Sequence, residues 1–373
     1  MLPQRGEGGK VILCVDMDYF YAQCEQLRNP ALASVPVVIC VFSSRGKDSG
    51  AVATANYVAR RYGVKSGMPI ARAKSLLKGV SEAVFLPAAF DYYELISARV
   101  MELLRAEADA FEQVSVDEAF LDVTRRAEGS LERGLAQAAS LKSALRSNLG
   151  LTCTVGVGPT KLLSKMAANL AKPDGLLKLA YDDVPQKLWP LPVEALYGIG
   201  KKTAARLREL GLGTIGDLAR ADVNLLKEAF GKALGTYLYL AANGTYEEPL
   251  RTVPKVESIS RITTLREDAT SAGQVEQELE QLCRQVHERV VREGWTFRTV
   301  GLIFVMEDLS IRTRSRSLET STDSLEVLLQ EARQLCGEFF NEARMPVRRL
   351  GVKVASLSKA EGQARLTQFM SGN

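Results

Sequence analysis

Three carboxylates stand where apolar, strand-like runs end: Asp16 in VILCVDMDYFYAQ, and the neighbours Asp117 and Glu118 in EQVSVDEAFLDV. An ionised carboxylate at the end of a buried strand is costly unless something cationic meets it, and a pair of divalent ions would do so. The chain offers little rival chemistry. Its one histidine is His287, so histidine-based triads, histidine-rich zinc sites and imidazole general bases are largely excluded. Carboxylate and metal chemistry is what remains.

The elements that must position these acids belong to a chain of 373 residues, a length that predicts two to four domains. The 46% hydrophobic and 25% charged content is that of a soluble globular protein, and no run approaches the roughly 18 apolar residues of a membrane span. The N-terminal MLPQRGEGGK lacks the apolar stretch of a secretory signal. It reads as a flexible extension over residues 1–10, with a cytoplasmic location expected. Six cysteines form no CxxC pair and lie mostly in apolar runs, which predicts buried, reduced thiols rather than disulfides or a zinc site. A net charge of +4 is too small to imply a nucleic-acid partner by itself. Placement says more: basic residues cluster at 201–208, at Arg312, Arg314 and Arg316, and at 348–353.

Residues 11–17 read as a strand, followed by the helix YFYAQCEQL, the buried strand PVVICVF and the turn SSRGKDSG. The short strand AVATA leads into the helix NYVARRYG, and MPIARAKSLL is helical with Pro69 near its start. DYYELISARVMELLRAEA carries apolar residues at helical spacing, and EQVSVDEAFLDV alternates like a hairpin whose bend holds Asp117 and Glu118. A helix over 131–147, the strand LTCTVGVG and the helix PTKLLSKMAANLA complete a mainly antiparallel sheet with helices on one face.

The three prolines of PQKLWPLPVEAL mark a boundary. Beyond it LYGIGKKTAARLRELGLGTIGDLARA predicts two helices joined by Gly198, Ile199 and Gly200. Amides at Gly198, Gly200 and Lys201, opening a basic helix, suit a phosphate. The pattern favours a helix-hairpin-helix on a DNA backbone over an ordinary helical hairpin. TYEEPLRTVPKV reads as a linker. The remainder predicts strand (258–265), helix (274–293), strands (297–306 and 310–318), helix (325–342) and strand (347–355), a βαββαβ order. In SIRTRSRSL the alternation puts Arg312, Arg314 and Arg316 on one face of a strand. Three guanidiniums there repel one another unless phosphates or acids lie opposite, and a nucleic-acid backbone would serve.

Taken in order, VDMDYFYAQCE, VVICVFSSRGKDSGAVATANYVARRYGVKSGMPI, SVDEAFLD, TVGVGPTKLLSKMAANLAKPDG and LYGIGKKTAARL resemble the Y-family, DinB-type translesion DNA polymerases, above all their archaeal DNA polymerase IV-like branch. The resemblance runs from about residue 11 to 357. It implies a multidomain α+β right-hand polymerase: palm over 11–19 and 86–179, fingers over 20–85, and a helical thumb with a helix-hairpin-helix over 180–246. A linker over 247–256, a βαββαβ little finger over 257–356 that binds DNA, and a tail over 357–373 follow.

The resemblance also implies roles. Asp16, Asp117 and Glu118 would be ligands of two Mg²⁺ ions, with the Met17 carbonyl completing one shell; such ions sit ~3.5–4 Å apart, one activating the primer 3′-hydroxyl and the other stabilising the leaving pyrophosphate. Asp18 and Asp122 match positions that are not ligands. Tyr19, Thr54, Tyr57, Arg60 and Lys172 match positions that hold the incoming triphosphate, where hydroxyls and cations suit phosphate oxygens. Tyr21 matches the steric gate that closes on C2′ of the sugar, and Ala51, Ala53 and Gly67 would form a small-residue roof over the templating base. In the tail QARLTQFM, Gln363, Leu366, Phe369 and Met370 resemble the peptide that docks on a sliding clamp of the PCNA type, with Met in place of the usual last aromatic.

The implied activity is low-fidelity, DNA-directed DNA synthesis across lesions by two-metal-ion transfer from dNTP to a primer 3′-OH, without proofreading. The expected partners are primer-template DNA, dNTP and the clamp, with the protein a monomer off the membrane. Two alternatives stay in view. A nucleotide cyclase also uses a palm and two ions but would not need the helix-hairpin-helix or the basic C-terminal domain. A DNA-binding protein with a decayed site would not need all three acids together with Tyr21.

Overall fold

The computed structural model describes residues 9–46, 48–252 and 256–359. The chain divides into two compact units, one of residues 1–41, 51–68 and 72–254, the other of 42–50, 69–71 and 255–373. From the N-terminus the elements are β1 (Ile12–Met17), α1 (Phe20–Arg28), β2 (Val37–Phe42), β3 (Gly50–Ala55), α2 (Tyr57–Arg61), α3 (Ile70–Leu76), β4 (Val84–Pro87) and α4 (Phe90–Ala106). Next come β5 (Ala110–Gln113), β6 (Glu118–Asp122), α5 (Leu131–Leu149), β7 (Cys153–Gly158), α6 (Lys161–Ala171) and β8 (Leu176–Lys178). Four helices follow: α7 (Lys201–Glu209), α8 (Ile215–Arg220), α9 (Val223–Phe230) and α10 (Lys232–Ala242).

β1 is the middle strand of a sheet ordered β5-β6-β1-β7-β8, antiparallel to both neighbours, so that Asp16 lies opposite Glu118 on one side and Thr154 on the other. The expected helices on one face prove to lie on both. Leu13, Val15 and Met17 pack into a core with Val100, Leu104, Leu141 and Leu145 of α4 and α5, whereas Ile12 and Cys14 meet Phe120 and Ala168 of α6 on the opposite face. That explains why the apolar run of β1 does not alternate. Two glycines set the depth of α6: a methyl group at Gly156 would overlap the Ser164 carbonyl, and one at Gly158 the backbone of Leu163 and Ser164. The helix therefore rides close on β7. A second sheet, β3-β2-β4, carries α2. The buried Asn56 fixes that helix, accepting from the Ala59 and Val37 amides at 3.0 and 3.1 Å and donating to the Val35 carbonyl at 2.8 Å.

α7 to α10 close around their own core of Leu196, Leu207, Leu218, Leu226 and Leu238, to which α6 adds Leu162, Leu163 and Met166. The two helices expected on either side of Gly198, Ile199 and Gly200 need correction: between Pro192 and Gly198 the chain makes a 3₁₀ turn, Val193–Ala195, rather than an α-helix, while α7 follows. Pro190 and Pro192 leave no room for a longer helix before Gly198, which sits at φ 87°.

The second unit contains β9 (Ser258–Ala269), α11 (Glu276–Arg292), β10 (Trp295–Met306), β11 (Ile311–Thr322), α12 (Leu325–Glu342), β12 (Val347–Ala355) and the short β13 (Ser358–Lys359). This is the βαββαβ order expected. The sheet runs β11-β10-β12-β9, and its core face (Val300, Leu302, Phe304, Leu350 and Val352) packs on both helices, with the Phe304 and Phe339 rings stacked 3.7 Å apart. All six cysteines are free and buried. Among the described residues no helix is long and apolar enough to cross a membrane.

Arg312, Arg314 and Arg316 do share a face, but it is the helix face, because they lie opposite Phe304, Leu302 and Val300. Acids wait there. Arg314 pairs with Glu342, and Arg316 pairs with Glu331 and Glu338 of α12 at 3.1 and 2.7 Å. Two of the three charges are thus balanced within the protein. On the open face the ladder brings together Thr313 and Ser315 of β11, Gly301 and Ile303 of β10, Gly351 and Lys353 of β12, and Ser260 and Ile262 of β9.

Candidate active site

Alternation along β1 sends Asp16 to the same face as Ile12 and Cys14, toward α6. Glu118, across the ladder, points the same way. α6 answers with two lysines seven residues apart. The Lys165 ammonium lies between the two acids, 2.8 Å from Asp16 Oδ2 and 2.6 Å from Glu118 Oε2, and Lys172, at the helix end, reaches Asp16 Oδ1 at 2.6 Å. Burial pushes the Glu118 carboxyl up, and Lys165 offsets only part of this because Asp16 and Asp117 add to the rise. Burial alone would depress Lys165; the surrounding Cys14, Asp16 and Glu118 raise it above the ordinary lysine range. The Cys14 thiol is itself driven well up by burial.

Asp117 stands slightly apart. Its carboxylate accepts from the Ser115 hydroxyl at 2.5 Å, while its carbonyl accepts from the Met17 amide at 2.8 Å and so ties the bend to the end of β1. Among the described residues no three acids close on one point. The donor set nevertheless suits a hard divalent cation: carboxylate oxygens from two adjoining strands with a backbone carbonyl beside them, and an ammonium already seated where positive charge is wanted.

In front of these acids a cleft of about 190 Å³ is lined by Asp16, Met17, Tyr19, Tyr21, Ala53, Thr54, Tyr57, Arg60, Asp117 and Lys172, joined by Phe20 and Ser66. Tyr19 begins α1 in a left-handed conformation, φ 35°, and its ring meets Tyr57 edge-on at 5.0 Å. Such backbone strain concentrates at functional sites. Arg60 is held by the Ala55 carbonyl at 2.8 Å and by the Thr54 hydroxyl at 3.4 Å. Burial, with Asp18 nearby, raises the Tyr57 phenol, which remains a hydrogen-bond donor. Tyr21 stacks on the buried Tyr93, and that side chain donates to Glu25 at 2.8 Å. Of the three residues expected in the roof, Ala53 lines the cleft, Ala51 precedes it on the same side of β3, and Gly67 donates to the Val52 carbonyl at 2.8 Å in a turn with φ 80°.

Sequence reasoning passed over two residues that organise this site. Lys165 is one; its signal was a lysine inside the helix segment from Lys161 to Ala168, every residue of which is buried. Asp18 is the other. It is a buried anchor whose carboxylate accepts from Thr154 at 2.9 Å, the Asp174 amide at 3.0 Å, Thr152 at 3.1 Å and Tyr57 at 3.4 Å.

Residues 15–169 match the impB/mucB/samB family, 181–212 its helix-hairpin-helix motif and 256–367 its C-terminal domain. A solved structure titled "Y-family DNA polymerase chimera Dbh-Dpo4(243-245)-Dbh" superposes with a TM-score of 0.86 at 35% identity, covering 93% of this chain and 98% of that one. The chain belongs to the Y-family. Other members bear this out: DNA polymerase IV of Nitrosopumilus maritimus is 42% identical over 96% of this chain and 99% of its own, and DNA polymerase IV 1 of Methanosarcina mazei is equally similar over the same shares. The insertion ternary complex of Dbh DNA polymerase, at 36% identity, has a TM-score of 0.66 and covers 92% of this chain and 98% of that chain. In this Y-family chain, the matched segments thus contain every acid of the site, the Gly198–Lys201 loop and the C-terminal sheet.

Proposed function

We propose that this Y-family member is a DNA-directed DNA polymerase that copies damaged templates with low fidelity, joining dNTPs to a primer 3′-OH at two Mg²⁺ ions and without proofreading. The observation that carries this reading is one cleft lined together by Asp16, Asp117, Tyr21, Tyr57, Arg60 and Lys172. Bound at Asp16, Asp117, Glu118 and the Met17 carbonyl, divalent ions would lower the pKa of the primer hydroxyl and neutralise the leaving pyrophosphate. The chain's own groups do the rest. Arg60, oriented by Ala55 and Thr54, and the Lys172 ammonium would take phosphate oxygens, and the Tyr57 hydroxyl would turn from Asp18 to donate to them. Tyr21, backed by Tyr93, presents a ring edge where a ribose 2′-hydroxyl would sit. Alanine at 51 and 53 and glycine at 67 leave room above the templating base.

DNA would be held at two places. The α7 start has no side-chain cap at Gly200, so its free amides, with Gly198 and Lys201, suit a backbone phosphate. In the C-terminal unit, Arg312, Arg314 and Arg316 are assigned a lesser share than first expected, since Arg314 and Arg316 are bound to glutamates; the open sheet face with Lys353 takes the larger one. Gln363, Leu366, Phe369 and Met370 lie outside the described residues, and their docking on a PCNA-type clamp rests on the sequence match alone. Primer extension tests the central reading: wild type should extend a labelled primer with dNTPs and Mg²⁺, while Asp117→Ala should lose ~10³-fold or more. Failure of wild type with every divalent ion would overturn it.

A further inference from the structure

Both oxygens of Asp16 accept from lysines, Oδ2 from Lys165 and Oδ1 from Lys172, and Lys165 also holds Glu118. The two lysines differ in freedom. Lys165 sits mid-helix with its side chain 9% exposed, on an α6 pinned against Gly156 and Gly158, so its ammonium has little room to leave. Lys172 is the α6 C-cap, 34% exposed, and lines the nucleotide cleft beside Tyr57 and Arg60. A triphosphate there offers Lys172 more negative charge than one carboxylate does.

From this difference we infer that Lys165 is a resident counter-ion that competes with divalent ions for Asp16 and Glu118, and that Lys172 is a releasable one, so that ion and nucleoside triphosphate bind as a coupled pair. This rests on reading Asp16 and Glu118 as ion ligands. A divalent ion arriving alone must displace two ammoniums to reach Asp16. Once phosphates draw Lys172 away, Asp16 Oδ1 is released and the entering ion meets only the fixed competitor. Lys165 thereby keeps the acids apart from stray cations while preventing their mutual repulsion from opening the β1–β6 ladder.

The test is Mn²⁺ binding to the full chain, followed by the electron paramagnetic resonance of free Mn²⁺, with and without α,β-methylene dATP. Lys165→Met should bind Mn²⁺ about tenfold more tightly than wild type without nucleotide, since a buried cation beside the ligands is removed. Lys165→Arg, which keeps the charge, should stay near wild type. Lys172→Met should also gain nucleotide-free affinity and lose most of the gain that the nucleotide confers on wild type. Equal or weaker Mn²⁺ binding in Lys165→Met and Lys172→Met, with Glu118→Gln still abolishing it, overturns the competition. If Asp16→Asn and Glu118→Gln leave Mn²⁺ binding unchanged, the reading of these acids as ion ligands fails instead. Should Lys165→Met not fold, Lys165→Gln and the surface-proximal Lys172→Met carry the same comparison.

Discussion

Tyr21 lies nearly flat against Tyr93, ring centroids 4.6 Å apart and planes 18° from parallel. Phe90 closes on Tyr21 from the side at 5.7 Å, and the Tyr93 hydroxyl is fixed by Glu25. A ring packed on two others holds one position, which is what exclusion by shape requires, because an aromatic pair adds ~0.5–1.5 kcal/mol beyond its burial.

Removing the ring should therefore matter more than removing its support. Tyr21→Ala should lower discrimination against ribonucleotides by about a hundredfold, ~2.7 kcal/mol. Tyr93→Ala should lower it by less, on the order of tenfold, by letting Tyr21 move. Single-nucleotide insertion of dCTP against CTP measures both; unchanged discrimination in Tyr21→Ala would remove it from the role of gate.

The loop after α6 places Lys172 through Asp174. That residue has φ 48°, its amide donates to Asp18, and its carboxylate pairs with Lys142 at 2.8 Å and with Arg146. Slight burial pushes this carboxyl up, but Lys142 and Arg146 outweigh it and leave it below the ordinary aspartate value. A depressed folded-state value means the contribution is complete above the unfolded value, near pH ~4, and is lost only as pH falls through the folded one. Asp174→Ala should raise the dNTP KM on the order of tenfold with a smaller effect on kcat, since it loosens phosphate binding. Wild-type KM should show no step between pH 8 and pH 5 from this group, measured by steady-state insertion; a step that disappears in Asp174→Asn would contradict the assignment.

Much of this architecture is legible in the sequence because local pattern and burial agree. The C-terminal helices and strands fall within a few residues of where periodicity puts them, and the hairpin bend of Asp117 is where alternation breaks. Three features are less accessible. Alternation tells that Arg312, Arg314 and Arg316 share a face, but which face depends on pairing with Phe304, Leu302 and Val300, a tertiary fact. Lys165 looks like a solvated cation on an amphipathic helix until the glycines of β7 are recognised as the floor on which α6 lies. The continuous apolar run of β1 speaks for two covered faces, but that α6 is the element covering the second one is a tertiary fact.

Asp18 separates structural from catalytic acids. It is 1% exposed and satisfied by two threonine hydroxyls, an amide and Tyr57, so Asp18→Ala strands those donors in the interior. The variant should lose about 2–4 kcal/mol in urea unfolding. Asp117→Ala, at a half-buried carboxylate that accepts from the Ser115 hydroxyl, should change stability by less than about 1 kcal/mol. The opposite ordering would mean that Asp18 is not the anchor its hydrogen bonds make it.

Salt dependence discriminates the two faces of the C-terminal sheet. Each cation that releases a counterion from duplex DNA contributes about 0.9 to the slope of log affinity against log salt. Lys353 is exposed on the open face. Next along that strand face, Arg349 has a buried Nε with no hydrogen-bond partner, a donor that a phosphate or base edge would satisfy. Arg316, by contrast, already serves Glu331 and Glu338. Lys353→Ala and Arg349→Ala should each flatten the slope by about one unit, whereas Arg316→Ala should flatten it by less than about half a unit. Fluorescence anisotropy on a primer-template from low to high salt measures all three. If Arg316→Ala flattens the slope as much as Lys353→Ala, the glutamates release their arginine to DNA and the helix-side edge of β11 is the binding face after all.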